Sequence, residues 1–268
     1  IKVNMIEFFE YFCALLTGIV LGLTGGGGSI LTVPVLVYIL NFNPIIASSY
    51  SLFIVGMTST FGTLINLKKG NVVLKTGLLF AIPSLISVYI TRKYIVHSIP
   101  DILIQSSSFT ITKDLFLMVL FAVVMFFAAL SMLKTPKNLS LEVIESKPNI
   151  YLIVFQIFCV GIVIGLIGAG GGFLIIPALV HFAKLPIKKA IGTSLFIIAC
   201  NSLIGFSGDV QNINPDWSFL FKFASFAMTG IFLGIYLSRF FNEQSLKKIF
   251  GWFVLTMAVF ILTKEILF

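Results

Sequence analysis

Two glycine clusters, Gly25-Gly26-Gly27-Gly28-Ser29 and Gly168-Ala169-Gly170-Gly171-Gly172, are the residues of this chain best suited to hold a ligand. Four adjacent glycines do not hold a helix, since each costs about 1 kcal/mol relative to Ala. In an apolar chain such unwound backbone survives only where it is buried in protein or lines a cavity. Glycine leaves its amides open. Where helix resumes, near Ser29 and Phe173, the first N–H groups lack intrahelical partners and the dipole end is positive, so an anion can bind without a formal basic residue. The competing use of these glycines is close helix packing. A nucleotide site fits less well still: a phosphate loop needs Lys-Ser/Thr after its last Gly, and here Ser29-Ile30 and Phe173-Leu174 follow.

The nearest polar side chains follow each cluster: Ser48, Ser49, Ser51, Thr58 and Ser59 after the first, and Thr193, Ser194, Asn201 and Ser202 after the second. Ser51 and Thr58, like Ser194 and Asn201, are seven residues apart, two helical turns and therefore one face. These groups can donate to a bound oxyanion, or else bond their own backbone carbonyls. Asn201 is the strongest of them, because an amide inside an apolar helix is expensive without a partner. The candidate binding set is Gly25, Gly26, Gly27, Gly28, Ser29, Ser51, Thr58, Gly168, Gly170, Gly171, Gly172, Thr193, Ser194 and Asn201. His97 falls in a polar, solvated loop, and His181 ends an apolar segment at an interfacial position. Cys13, Cys159 and Cys200 each sit in an apolar stretch and read as small hydrophobes. No catalytic group, metal or cofactor is implied, and no paired-acid, His-Glu-x-x-His or Gly-x-Ser-x-Gly site is present.

The elements that must position these groups lie in a membrane. The 268 residues are 58% hydrophobic and only 10% charged, which excludes a soluble enzyme, a nucleic-acid binder and a disulfide-stapled domain. Tyr11 to Leu67 carries no charge over 57 residues; a single helix of that length would measure roughly 85 Å against a hydrocarbon core of about 30 Å, so it folds back. Punctuation by charge, Pro and Gly gives five apolar segments in each half: about 8–24, 28–41, 44–66, 75–91 and 114–133, then 150–167, 172–183, 187–207, 218–238 and 248–266. No Asp, Glu, Lys or Arg falls in the middle of any of these segments, which argues against carboxylate-based proton coupling. Export of an anion needs no coupling ion, since an inside-negative potential drives each negative charge outward by about 2.3 kcal/mol per 100 mV.

The two halves are a duplication. Residues 18–37 match residues 161–180 at 12 of 20 positions without a gap, Pro34 with Pro177 among them, and Ala47, Ser51, Leu52, Phe53, Ser59 and Gly62 continue as Ala190, Ser194, Leu195, Phe196, Ser202 and Gly205. The first two segments of each half are either one broken helix or a hairpin. If they reverse direction, each half makes an odd number of turns and the second is inverted, with cations split 12 to 6 between the sides; if they are continuous the split is 9 to 9. The positive-inside rule favours inverted repeats with both termini outside the cytoplasm. The expected organisation is a first repeat at 1–134, a cytoplasmic linker at 135–149 and a second repeat at 150–268.

Gly22-Leu23-Thr24-Gly25-Gly26-Gly27-Gly28 with Pro34, and Gly165-Leu166-Ile167-Gly168-Ala169-Gly170-Gly171-Gly172 with Pro177, Ala190, Gly192, Thr193 and Ser194, resemble the TauE/SafE sulfite exporters, the TSUP permeases. The resemblance covers nearly the whole chain. It implies a plasma-membrane permease for sulfur-containing anions such as sulfite or small organosulfonates. The first half departs from the pattern at Ser49-Tyr50-Ser51, where the second reads Gly192-Thr193-Ser194. The expectation is an all-α polytopic protein of two inverted repeats, each a glycine-interrupted helix pair followed by three transmembrane helices. It moves a small anion by alternating access, with the lipid bilayer as its other partner and no nucleic acid. An anion channel and a carrier of a non-sulfur anion remain the alternatives.

Overall fold

The computed structural model describes residues 2–26, 28–106, 109–133, 150–238, 240 and 243–267. The 135–149 linker expected between the repeats lies outside the described residues. The chain is helical almost throughout: α1 (Lys2–Thr24), α2 (Gly28–Pro34) continued by a π-helical turn at Val35–Ile39, α3 (Pro44–Lys68), and α4 (Leu74–Ile90) continued by a second π turn at Thr91–Val96. Then come α5 (Lys113–Leu133), α6 (Ile150–Ile167), α7 (Gly172–His181), α8 (Ile187–Asp209), α9 (Trp217–Leu237) and α10 (Glu243–Leu267). A short antiparallel hairpin, β1 (Ile102–Ser106) and β2 (Phe109–Thr112), joins α4 to α5 and is the one strand pair among the described residues. Among those residues, six helices are long and apolar enough to cross a membrane: α1, α3, α4 with its extension, α5, α8 and α9.

α3 and α8 form the centre. Of their spanning stretches, 72% and 67% is buried, against 33–44% for the other four. The two helices run antiparallel, since Ser49 near the start of α3 bonds Asp209 at the end of α8, Gly56 packs on Leu203, and Gly62 packs on Leu195. α9 and α4 flank them, α1 packs on α9, α6 packs on α4, and α5 pairs with α10. Each heterologous pair therefore recurs with the repeats exchanged: α1 with α9 answers α6 with α4, and α3 with α9 answers α8 with α4. Small residues make these contacts close. Gly18, Gly22, Gly230 and Gly234 bring the α1 and α9 backbones together, while Gly161 and Gly165 lie on Ser84, Ser87 and Val88 of α4 and on Thr91 of its π extension. The outer faces present Phe8, Phe127, Phe155, Phe232 and Trp252, as a lipid-facing surface requires. Cys13 is buried and Cys200 half-buried, whereas Cys159 faces outward rather than into the core.

The glycine-interrupted pairs are hairpins. Gly28 sits against the backbone of Leu21, and Gly171 against Ile164, although each pair is seven residues apart and would be about 10 Å apart in a continuous helix. The returning arms are short, about 18 Å for Gly28–Ile39 and about 15 Å for Gly172–His181, so neither crosses the hydrocarbon core by itself. Pro34, lacking an N–H, precedes the widened π turn in which Leu40 N–H reaches back to the Val35 carbonyl.

Long-range side-chain bonds show which helix ends share a face. At one end Tyr38 donates to Glu265 at 2.7 Å, Asn43 donates to Asp114 at 2.9 Å, and Asp209 meets Ser49. At the other, the α3–α4 loop, flanked by Lys68, Lys69 and Lys75, packs through Asn71 and Val73 on the first turns of α8, which carry Lys188 and Lys189.

Candidate functional site

Both glycine turns leave their first helix through a left-handed residue. Gly25 (φ +71°) donates to the Leu21 carbonyl at 2.8 Å, and Gly168 (φ +73°) to the Ile164 carbonyl at 2.9 Å. Gly170 and Gly171 repeat the left-handed conformation, and Leu174 and Ile175 N–H both turn back to the Gly171 carbonyl as α7 begins. The turns then meet. A Cβ built on Gly26 would lie 2.7 Å from the Gly172 carbonyl carbon, and one on Gly170 would lie 2.7 Å from Ser202 Oγ and 2.9 Å from Val55. The two breaks therefore touch each other while bracing against α3 and α8. Gly27 lies outside the described residues, as does the side chain of Ser29.

The polar side chains singled out from sequence divide into groups. Ser194 Oγ lies 2.7 Å from the Gly25 carbonyl and 2.8 Å from that of Ile191, so it ties α8 to the first turn. Thr58 is committed to its own helix, donating to the Ile54 carbonyl at 2.6 Å. Thr193 Oγ1 accepts from the Val73 N–H of the α3–α4 loop at 3.0 Å. Asn201 turns toward α4, its Oδ1 accepting from Ser84 Oγ at 3.0 Å. No described residue bonds Ser51 Oγ, Ser59 Oγ, Ser202 Oγ or Asn201 Nδ2, all of them buried. Ser51 shares a helical face with Ser48 and Val55, which touch Gly168 and Gly170.

Sequence reasoning missed the most polar feature of the interior. The helices outrun their expected ends: α4 reaches Val96 through its π turn and α8 reaches Asp209, which carries Arg92 and Asp209 inside the protein. This corrects the expectation of helix interiors without a charged side chain. Arg92 and Asp209 are 0% and 1% exposed, with Nη1 to Oδ2 at 3.0 Å. Arg92 Nη1 also donates to Ser48 Oγ at 3.0 Å, and Ser49 Oγ donates to Asp209 Oδ2 at 2.6 Å. Arg92 Nη2 lies against Gly168, where any Cβ would collide with it. His97, expected in a solvated loop, is half-buried; its Nδ1 is 2.8 Å from the Arg92 carbonyl, which only accepts, so Nδ1 carries the proton. The available signal was Asp209 itself, which stands at the position equivalent to Asn66 in the first repeat.

One closing bond recurs with the repeats exchanged. Val73 N–H donates to Thr193 Oγ1, and Asp216 N–H, 143 residues after Val73, donates to Tyr50 Oη, 143 residues before Thr193, at 2.7 Å. The ion pair does not recur. Positions equivalent to Arg92, Asp209 and Ser48 hold Ile235, Asn66 and Ile191, and Asn66 bonds its own helix at the Gly62 carbonyl.

Apolar spanning helices around two touching, buried helix breaks define a multi-pass helical membrane protein with an irregular polar interior. The family model described as sulfite exporter TauE/SafE matches residues 11–264. The chain belongs to that family and is a membrane transporter. It is 28% identical over 257 residues to a probable membrane transporter protein of Xylella fastidiosa (strain 9a5c), covering 93% of this chain and 92% of that one. It is 27% identical over 254 residues to the probable membrane transporter protein YunE of Bacillus subtilis (strain 168), covering 88% and 89%. A probable membrane transporter protein of Methanocaldococcus jannaschii is 34% identical over 116 residues, 41% of this chain and 43% of that one. No solved structure matches.

Proposed function

We propose that the chain is a permease exporting a small sulfur-containing anion, of the sulfite or organosulfonate kind, by alternating access at a midplane site built from the two glycine turns. It is a carrier rather than an enzyme. The observation that carries the reading is the meeting of the turns at Gly26 and Gly172, with the buried hydroxyl of Ser202, which no described residue bonds, against Gly170. Broken helices at equivalent places in two repeats are where transporters bind substrate. Antiparallel α3 and α8 support inversion of the repeats. The lysine-rich face formed by the α3–α4 loop and the start of α8 is the cytoplasmic one, which puts both termini outside a bacterial-type plasma membrane.

The test is the melting temperature of the detergent-purified protein against sulfite, thiosulfate, sulfoacetate, taurine, sulfate, carboxylates and chloride, followed by flux in proteoliposomes. A ligand that binds only the folded state raises melting by mass action. Stabilisation by one sulfur oxyanion over isosteric carboxylates, with saturable flux of that anion, supports the reading. Stabilisation by a carboxylate alone replaces the substrate class, and non-saturating flux replaces the carrier with a channel.

A further inference from the structure

Arg92 is the buried group whose chemistry exceeds its use. Of its five N–H donors, the two on Nη1 go to Asp209 and Ser48, while no described residue accepts from Nε or Nη2. The Nε–Nη2 edge is the pair of parallel donors that grips a planar or tetrahedral oxyanion bidentately. This edge lies in the protein interior with Nη2 against Gly168, the first residue of the second turn, and Ser48 Cβ is 2.5 Å from where a Gly168 Cβ would stand. Asp209 is half-used in the same way: Oδ2 takes both bonds, while Oδ1 has no described partner. A buried cation and anion each left part-bonded are costly. An arrangement in which a second anion shares or takes the guanidinium would recover the missing bonds. The apolar and neutral residues at the equivalent positions, Ile235, Ile191 and Asn66, restrict the device to one end of the interior.

Resting on the anion-transport reading, we propose that Arg92 is the charged receptor for the transported oxyanion and that Asp209 is the internal carboxylate the anion displaces. With the site empty, Asp209 and Ser48 hold the guanidinium beside the turn. The arriving oxyanion takes the Nε–Nη2 edge next to Gly168, and its charge weakens the hold of Asp209. Because Ser49 and Ser48 connect this pair to the start of α3, loss of the Asp209 contact loosens α3 from α8 at that end, on the side where the family reading puts release.

The experiment measures binding of sulfite, sulfate, thiosulfate and sulfoacetate to the detergent-purified full chain by thermal shift and calorimetry. It compares wild type with Asp209→Asn, Arg92→Lys and the neutral pair Arg92→Gln/Asp209→Asn. The neutral pair leaves no lone buried charge and guards against a simple failure to fold. Asp209→Asn, which keeps a hydrogen-bonding partner but removes the competing charge, is expected to tighten the favoured anion at least tenfold. Arg92→Lys, which has a point charge and no fork, is expected to weaken it at least tenfold, and the neutral pair to lose it. A structural role alone would not reverse sign between Asp209→Asn and the neutral pair. Wild-type binding that the neutral pair retains overturns the proposal and leaves the transport reading standing. Weaker binding in Asp209→Asn likewise overturns the displacement step. No response of wild type or any variant to any of these anions overturns the sulfur-anion reading and the proposal together.

Discussion

Replacing Gly172 with alanine tests the contact between the two helix breaks with a single methyl group. The new Cβ would press on the Gly26 backbone, with its carbonyl oxygen at 2.7 Å, and on Ile198 Cδ1 at 2.5 Å. The isoleucine tip can swing aside, whereas the Gly26 backbone is fixed by the turn that follows Gly25. Overpacking of this kind costs about 1–3 kcal/mol. For a chain of this size that corresponds to a fall in apparent melting temperature of roughly 2–12 °C. Combining Gly172→Ala with Ile198→Val is expected to recover part of the loss, since only the side-chain half of the clash is relieved, giving a non-additive cycle. The same methyl wedges the turns apart, so sulfite flux into proteoliposomes is expected to drop while the protein still inserts. The assays are intrinsic-fluorescence melting of purified protein and flux at matched protein density. Wild-type melting together with wild-type flux would show that the breaks do not meet and would remove the turn-to-turn site.

Gly171→Leu forces a side chain into a left-handed position (φ +70°) against Ile164 and is expected to abolish flux while membrane insertion, read by fractionation, persists. Asn201 and Ser84 are expected to couple by about 0.5–1.5 kcal/mol in a double-mutant cycle of their alanine variants; zero coupling denies their hydrogen bond. Gly230→Ala, boxed in by the backbone of Leu15, Gly18 and Ile19, is expected to destabilise the α1–α9 pair by at least about 1–3 kcal/mol and to lower the yield of folded protein. Tyr50→Phe removes the acceptor for the Asp216 N–H and is expected to cost about 1 kcal/mol, measured as a lower melting temperature.

The sequence determined whatever depends on local composition and on the repeat. Its sparse charge dictated a membrane solvent, its glycine runs forbade continuous helix, and its punctuation by Pro, Gly and Lys marked segment limits that α3, α5, α6 and α9 follow within a few residues. Duplication also made the glycine turns legible as a pair, because one register held for both halves. Tertiary structure decided everything that depends on contacts between distant residues. Whether the interrupted pairs reverse rested on Gly28 meeting Leu21 and Gly171 meeting Ile164. Which hydroxyls remain available rested on Ser194 reaching Gly25 and Thr193 reaching Val73, pairings across more than a hundred residues. The burial of Arg92 and Asp209 is the clearest case. Each looks like a helix-end charge bound for water, because a side chain's cost in the membrane depends on its partner, and the partner here is 117 residues away.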